Sequence, residues 1–182
     1  MRVCIVDTET TGLEVDKGHR IIEIAMHNYS LETEVLVDSY VARINPLRPI
    51  DPGAEAVHGI SLSDLLTEPT WEDVAPAVQS MLARCDTVVA HNADFDIPFV
   101  AVELMRVGLE VPNIETFCTM LNARWATPLG KSPSLKELAF ALRVPYDPSK
   151  AHGASYDVEV TAACLFEGIR RGFYKLPGMV TA

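Results

Sequence analysis

At 182 residues with 48% hydrophobic content, the chain has enough apolar material for one packed core and too little length for two comfortable ones. A formal charge of −10 argues against a protein that grips polyanions through a broad basic surface, and no run nears the roughly 18 apolar residues of a membrane span. The expectation is a single domain over residues 1–182, packed over about 2–171 with a short irregular tail, in the cytoplasm, because the strand-like run Val3 to Val6 leaves no room for a signal peptide.

Three apolar runs open the chain and predict a meander of strands: Arg2 to Thr8, Arg20 to Tyr29 with Ile22, Ile24 and Met26 in alternation, and Glu34 to Ile44. A proline-rich loop, Asn45 to Gly53, separates them from a short helix at Ser61 to Leu66 and a longer one at Trp71 to Ala83, with Thr70 as N-cap and Asp73 three residues on. Thr87 to Ala90 reads as a short buried strand, and Ile97 to Val107 as a helix ended by Gly108, a crossover that points to parallel pairing. After Ile114 to Thr119 the chain turns helical near Met120 to Trp125, runs through a flexible loop at Ala126 to Pro133, and enters a helix capped by Ser134. A last helix, Ala154 to Arg171, carries the stripe Val158, Ala162, Leu165 and Ile169, and Gly172 to Ala182 is irregular. The class is α/β, a mixed sheet flanked by helices. The cysteines, Cys4, Cys85, Cys118 and Cys164, form no C-x-x-C pair or zinc spacing and read as reduced core residues.

Acidic residues gather at three element ends. Asp7 and Glu9 lie two apart at the end of the first strand, so period two points both at one face. Such a pair is costly beside buried aliphatics unless a cation neutralises it, although alone it also fits a solvated strand end. Thr10-Thr11-Gly12 adds amides and hydroxyls beside the acids, and can equally be an ordinary glycine turn. His91-Asn92-Ala93-Asp94-Phe95-Asp96 stands where a strand passes into a helix, the usual place for ligand sites in α/β proteins, although either acid can be a helix cap. In His152-Gly153-Ala154-Ser155-Tyr156-Asp157, a loop histidine precedes a helix with an acid in its first turn, an arrangement that a helix dipole alone also favours.

Taken in order, these motifs resemble those of the DEDD superfamily of 3′-to-5′ exonucleases, in the histidine-bearing subgroup that includes the epsilon proofreading subunit of bacterial DNA polymerase III. Val57-His58-Gly59-Ile60 resembles a further substrate-contacting segment. The resemblance implies a ribonuclease H-like fold with a five-stranded sheet. It also implies that Asp7, Glu9, Asp96 and Asp157 bind two Mg²⁺ or Mn²⁺ ions, Asp7 bridging them, Glu9 and Asp157 completing the water-activating site and Asp96 the leaving-group site. His152 would be the general base, with nucleoside 5′-monophosphates as products. The backbone around Thr10 and Thr11 would hold the terminal 3′ hydroxyl, Thr8 and Asn92 would also bind substrate, Leu13 would wedge against the last base, and His58, placed in a loop, and Phe95 would line the terminal nucleotide; for Leu13 and Phe95 core packing is the competing account.

Asp94 occupies a variable position and is not counted as a ligand, His91 reads as structural, and His19 and His27 carry no signal. Cys118 stands where family members often carry an acid. Arg124, Lys131, Lys136 and Lys150 are candidate backbone contacts, with solvated surface charge as the alternative. The expected partner is a nucleic acid 3′ end, single-stranded DNA before RNA, with no membrane. The chain stops soon after its last helix, where the epsilon subunit continues into a polymerase-binding segment; this leaves a polymerase partner open and raises the expectation of a stand-alone or virus-encoded enzyme. The rival readings are an RNA-trimming enzyme like ribonuclease T and an inactive module that binds nucleic acid.

Overall fold

The computed structural model describes residues 1–179. In chain order the elements are β1 (Arg2–Thr10), β2 (Ile21–Ser30), β3 (Leu36–Arg43), α1 (Pro52–His58), α2 (Leu62–Leu65), α3 (Trp71–Leu82), β4 (Thr87–Ala90), α4 (Ala93–Arg106), β5 (Glu115–Cys118), α5 (Leu135–Leu142) and α6 (Ala154–Arg170). The five strands form one sheet in the order β3-β2-β1-β4-β5. The meander pairs antiparallel, whereas β4 and β5 join parallel to β1. This is the mixed five-stranded sheet, flanked by helices, that the sequence resemblance implies.

Alternation along β1 explains why the sheet has two covered faces. Cys4 and Val6 join Ile24 and Met26 beneath Trp71 and Val78 of α3 and Phe99 and Leu104 of α4. Val3 and Ile5 join Val89 and Phe117 on the opposite face, beneath Leu138 and Leu142 of α5 and Val158 and Leu165 of α6. A strand buried on both sides reads as an unbroken aliphatic run, as Val3 to Val6 does. Cys4, Cys118 and Cys164 are buried free thiols and Cys85 is partly buried.

Three local features depart from the sequence expectation. Helix α1 begins at the end of the loop expected over Asn45 to Gly53 and runs on to His58: Pro52 supplies its first turn and Gly59, at φ 70°, its left-handed stop. His58 therefore sits at the end of a helix and not in a loop. The proline-rich composition masked this start-and-stop pair. Helix α4 begins at Ala93, four residues before Ile97, because Asn92 adopts φ 94°, ψ 54° and swings the chain directly from β4 into helix. That brings Asp94 and Asp96 into its first turn. The segment after α6 has no regular structure, yet Tyr174 and Leu176 are buried in the α5–α6 core. The Tyr174 ring lies where a Cβ on Gly168 would come within 2.2 Å, and its hydroxyl donates to the Thr119 carbonyl at 3.1 Å. Of the tail expected to be irregular, residues 180–182 lie outside the described residues.

Candidate active site

Asp7 and Glu9 stand where β1 outruns its parallel partner β4, whose last register pair with it is Ile5 to Val89. Asp96 approaches from α4, and Asp157 from the first turn of α6 just after the His152 loop. All five line one pocket of about 330 Å³, which Asn92 and Phe95 also line. Within it, ligand atoms of Glu9, His152 and Asp157 lie within 4.8 Å of one another. Asp7 and Asp96 share the pocket without joining that three-residue group.

Each acid is held differently. Thr8 donates to Asp96 Oδ1 twice, through its backbone N–H at 2.9 Å and its hydroxyl at 2.7 Å. The Thr8 hydroxyl expected to meet substrate therefore points at a carboxylate. Asp157 Oδ2 accepts the backbone N–H of His152 at 3.1 Å, while Oδ1 is buried with no hydrogen-bond partner. His152 itself is exposed and adopts φ 63°, a left-handed conformation more accessible to histidine than to most side chains.

Burial and mutual repulsion raise the proton affinity of the cluster. Desolvation, then the charges of Asp96 and Glu9, push Asp7 well above the ordinary carboxylate range. Desolvation, then Asp157 and Glu23, push Glu9 to about 8. Burial raises Asp96 to about 7 against the two Thr8 hydrogen bonds, and burial likewise raises Asp157. Carboxylates whose proton affinity is raised, by burial first and at Asp7 and Glu9 also by neighbouring acids, beside a buried carboxylate oxygen with no donor, form a site short of positive charge; divalent cations supply it with oxygen coordination. The residues present fit the divalent metals that this chemistry implies.

Glu23 is a fifth acid that the sequence reading missed. It faces Glu9 across the β1–β2 ladder, is buried, and accepts from Arg43 Nε at 3.1 Å and from the N–H of Ala154 at 2.9 Å. It thus fixes where α6, and with it Asp157, begins. Its place in an alternating strand read as the polar side of an ordinary pair; the signal was its register opposite Glu9.

The acidic pocket opens into a cleft of about 670 Å³ that shares Glu9, Asn92 and Phe95 with it and adds Leu13, Val57 and His58. Leu13 is 78% exposed, which excludes core packing. Phe95 is half-buried and contacts Phe99 at 5.0 Å between ring centres, so it serves core and cleft together. His58 Nδ1 accepts from the Ile60 N–H at 3.0 Å, leaving Nε2 as the protonated nitrogen, buried and without a partner; burial keeps the ring below its ordinary proton affinity.

Thr10 bonds the Gly12 carbonyl, and Thr11 is fully buried with its hydroxyl 3.0 Å from His19 Nδ1. The backbone of Thr11 is committed as well, its N–H donating to the Arg20 carbonyl at 2.9 Å and its carbonyl accepting from the Asp51 N–H at 2.9 Å, so the expected substrate contact finds no free polar group on this buried residue. His19, which carried no sequence signal, stacks against Gly12 so closely that a Cβ there would lie 2.3 Å from its ring. Gly12→Ala must displace His19 from under the cleft wall; we expect a stability loss of about 2 kcal/mol in thermal unfolding and weaker oligonucleotide binding. Unchanged unfolding and binding would show that the ring yields freely. His91, read as structural, spans Thr119 Oγ1 at 3.0 Å and the Pro133 carbonyl at 3.1 Å, and burial pushes it down to about 4, so it stays neutral.

Comparison with known proteins adds three findings. The profile of a family described as Exonuclease, RNase T, matches residues 4–165. DNA polymerase III subunit epsilon of Escherichia coli K12 is 32% identical over 169 residues, covering 88% of this chain and 68% of that one, and the 3′-5′ exonuclease DinG of Bacillus subtilis 168 is 33% identical over 166 residues, covering 91% and 17%. A solved structure of Exonuclease X in complex with 5′ overhanging duplex DNA superposes with a TM-score of 0.73 at 30% identity, covering 97% of this chain and 96% of that one.

Proposed function

The chain belongs to the RNase T family of 3′-to-5′ exonucleases, and from that membership we propose that it removes nucleotides singly from single-stranded DNA or frayed 3′ ends, releasing nucleoside 5′-monophosphates. The observation that carries this reading is the junction of the acidic pocket with a cleft large enough for one nucleotide, both lined by Glu9, Asn92 and Phe95. Leu13 and Phe95 offer apolar surface to a base of any identity, and His58 Nε2–H offers a donor. Asp7, Glu9, Asp96 and Asp157 would hold two divalent ions, which supply an acidified water and charge neutralisation at the leaving oxygen.

His152, exposed at the pocket rim and tethered through its backbone to Asp157, accepts the proton of the attacking water. A ring nitrogen also lies within 4.8 Å of carboxylate oxygens of Glu9 and Asp157, close enough for the three to share one ion, so the role needs a test. His152→Ala is expected to lower turnover by about a hundredfold or more while keeping the rise in melting temperature that metal produces. Loss of that rise would make His152 a ligand.

The reaction is tested with 3′-labelled and 5′-labelled single-stranded DNA and RNA of one sequence, in Mg²⁺, Mn²⁺ or EDTA, with products resolved by length. Metal-dependent laddering from the 3′ end, faster on DNA, is the expected result; faster RNA cleavage would make the enzyme an RNA trimmer, and no cleavage would overturn the reading. No helix among the described residues is long and apolar enough to cross a membrane. The epsilon relative is named as a polymerase subunit, and a polymerase partner for this chain is tested by co-purification.

A further inference from the structure

A second groove, of about 680 Å³, runs beside the acidic pocket and meets it at Ser134, which lines both. Along the first turn of α5, Leu135 faces the acidic pocket and Lys136 the groove. Lys136 and Phe140 are four residues apart on this helix and so share one face, opposite the buried Leu138, Ala139 and Leu142. Phe140 is 85% exposed, an unusual state for a large aromatic on a helix whose other side packs well. The opposite wall is Ala126, Thr127 and Pro128, with Lys131 held 3.0 Å from Glu137. Lys136 makes no ion pair among the described residues.

We propose that this groove is a subsite for the nucleic acid strand upstream of the scissile bond, with Lys136 and Lys131 on a phosphate and the Phe140 ring under a base. The proposal rests on the exonuclease reading and extends it to how the strand is held. Three observations favour a nucleic acid over a protein here. Two lysines converge on the groove in a chain of net charge −10, whose field elsewhere repels a phosphate backbone. An exposed aromatic beside cations is the arrangement that binds single strands, by stacking and charge together. The groove is also continuous with the pocket that would cut the strand. His91 reinforces the continuity: through its bond to the Pro133 carbonyl it pins the loop between Lys131 and Ser134 to the segment that presents Asp96.

Glu137 sits in the groove as well, and its carboxylate is committed to Lys131 and to capping Ser134. A phosphate entering beside Lys136 meets one unpaired cation and one ion pair, a modest attraction suited to a strand that must advance after each cleavage.

The test measures binding of a fluorescent oligothymidylate of roughly a dozen nucleotides by anisotropy in EDTA, where nothing is cut, for wild type, Lys136→Ala, Phe140→Ala and Lys175→Ala. Lys175 is exposed and outside the groove, so its variant removes the same charge elsewhere. Lys136→Ala and Phe140→Ala are expected to weaken binding by about tenfold each, Lys175→Ala by far less. Lys136→Ala should also reduce the slope of log affinity against log salt by about 0.7, whereas Phe140→Ala leaves the slope unchanged, because stacking displaces no counterions.

Wild-type affinity in both groove variants, or an equal loss in Lys175→Ala, overturns the subsite and gives the surface to a protein partner. Hydrolysis by the wild type is scored separately. A chain that ladders DNA while its groove variants bind normally has lost only the subsite, and a chain that neither cuts nor binds has lost the exonuclease reading with it.

Discussion

Replacing Asp7 with asparagine is expected to abolish hydrolysis, by about three orders of magnitude or more, while making the metal-free protein more resistant to heat. The two effects share one cause. Asp7 lies in the electrostatic centre of the cluster, raised by burial and by the fields of Asp96, Glu9, Asp157 and Glu23. Its charge opposes folding unless cations accompany it, so an isosteric amide removes repulsion and leaves the strand end unchanged. Asp157→Asn should behave alike in activity, since it fills the position of a buried oxygen with no donor. Activity and melting temperature in EDTA are the two measurements. Appreciable turnover in Asp7→Asn would sink the assignment of the pocket, and a melting temperature several degrees lower would show that Asp7 holds the fold.

The same electrostatics set a pH dependence. Glu9 is raised to about 8 and Asp96 to about 7, so the unfolded chain ionises these groups at lower pH than the native one. Their protonated forms favour the fold; as pH rises from about 4 toward 8 the unfolded state releases protons first, and native stability falls. His91 acts in the other direction. Held down to about 4, it costs stability as pH falls below about 6.5, where the unfolded imidazole takes up its proton. The metal-free protein should therefore melt several degrees lower at about pH 8.5 than at about pH 6.5. Millimolar Mg²⁺ should reverse this, raising the melting temperature more at the higher pH because binding displaces fewer protons there. Equal Mg²⁺ shifts at both pH values would mean that the acids are not the groups that meet the ion.

The sheet was legible because its strands are simple in composition. Val3 to Val6 and Thr87 to Ala90 are apolar runs that fit a strand covered on both faces, and Ile22, Ile24 and Met26 alternate. The residues of the pocket were legible for a different reason: three acid-bearing motifs, each open alone to an ordinary structural account, resemble in their order those of a known exonuclease superfamily. What escaped is held by tertiary geometry. Helix α1 has fewer than two turns between Pro52 and Gly59, and its composition resembles a loop. Glu23 earns its place only through the register that sets it opposite Glu9. His19 matters because Gly12 has no side chain, a relation between two residues that neither one announces. Thr8 was expected to face substrate, but the alternation that sends Asp7 and Glu9 one way sends its hydroxyl the other, to Asp96.

The seat of Tyr174 bears on where this domain can be cut. Its ring occupies the notch left by Gly168, and its hydroxyl reaches Thr119, whose side chain in turn meets His91 beside the pocket. A fragment trimmed at the end of α6 would look complete by its regular elements, yet would leave that notch open and remove one end of a chain of contacts leading to His91 beside the acidic pocket. The last helix is not the natural border of the folding unit; the border lies beyond the irregular residues that plug it.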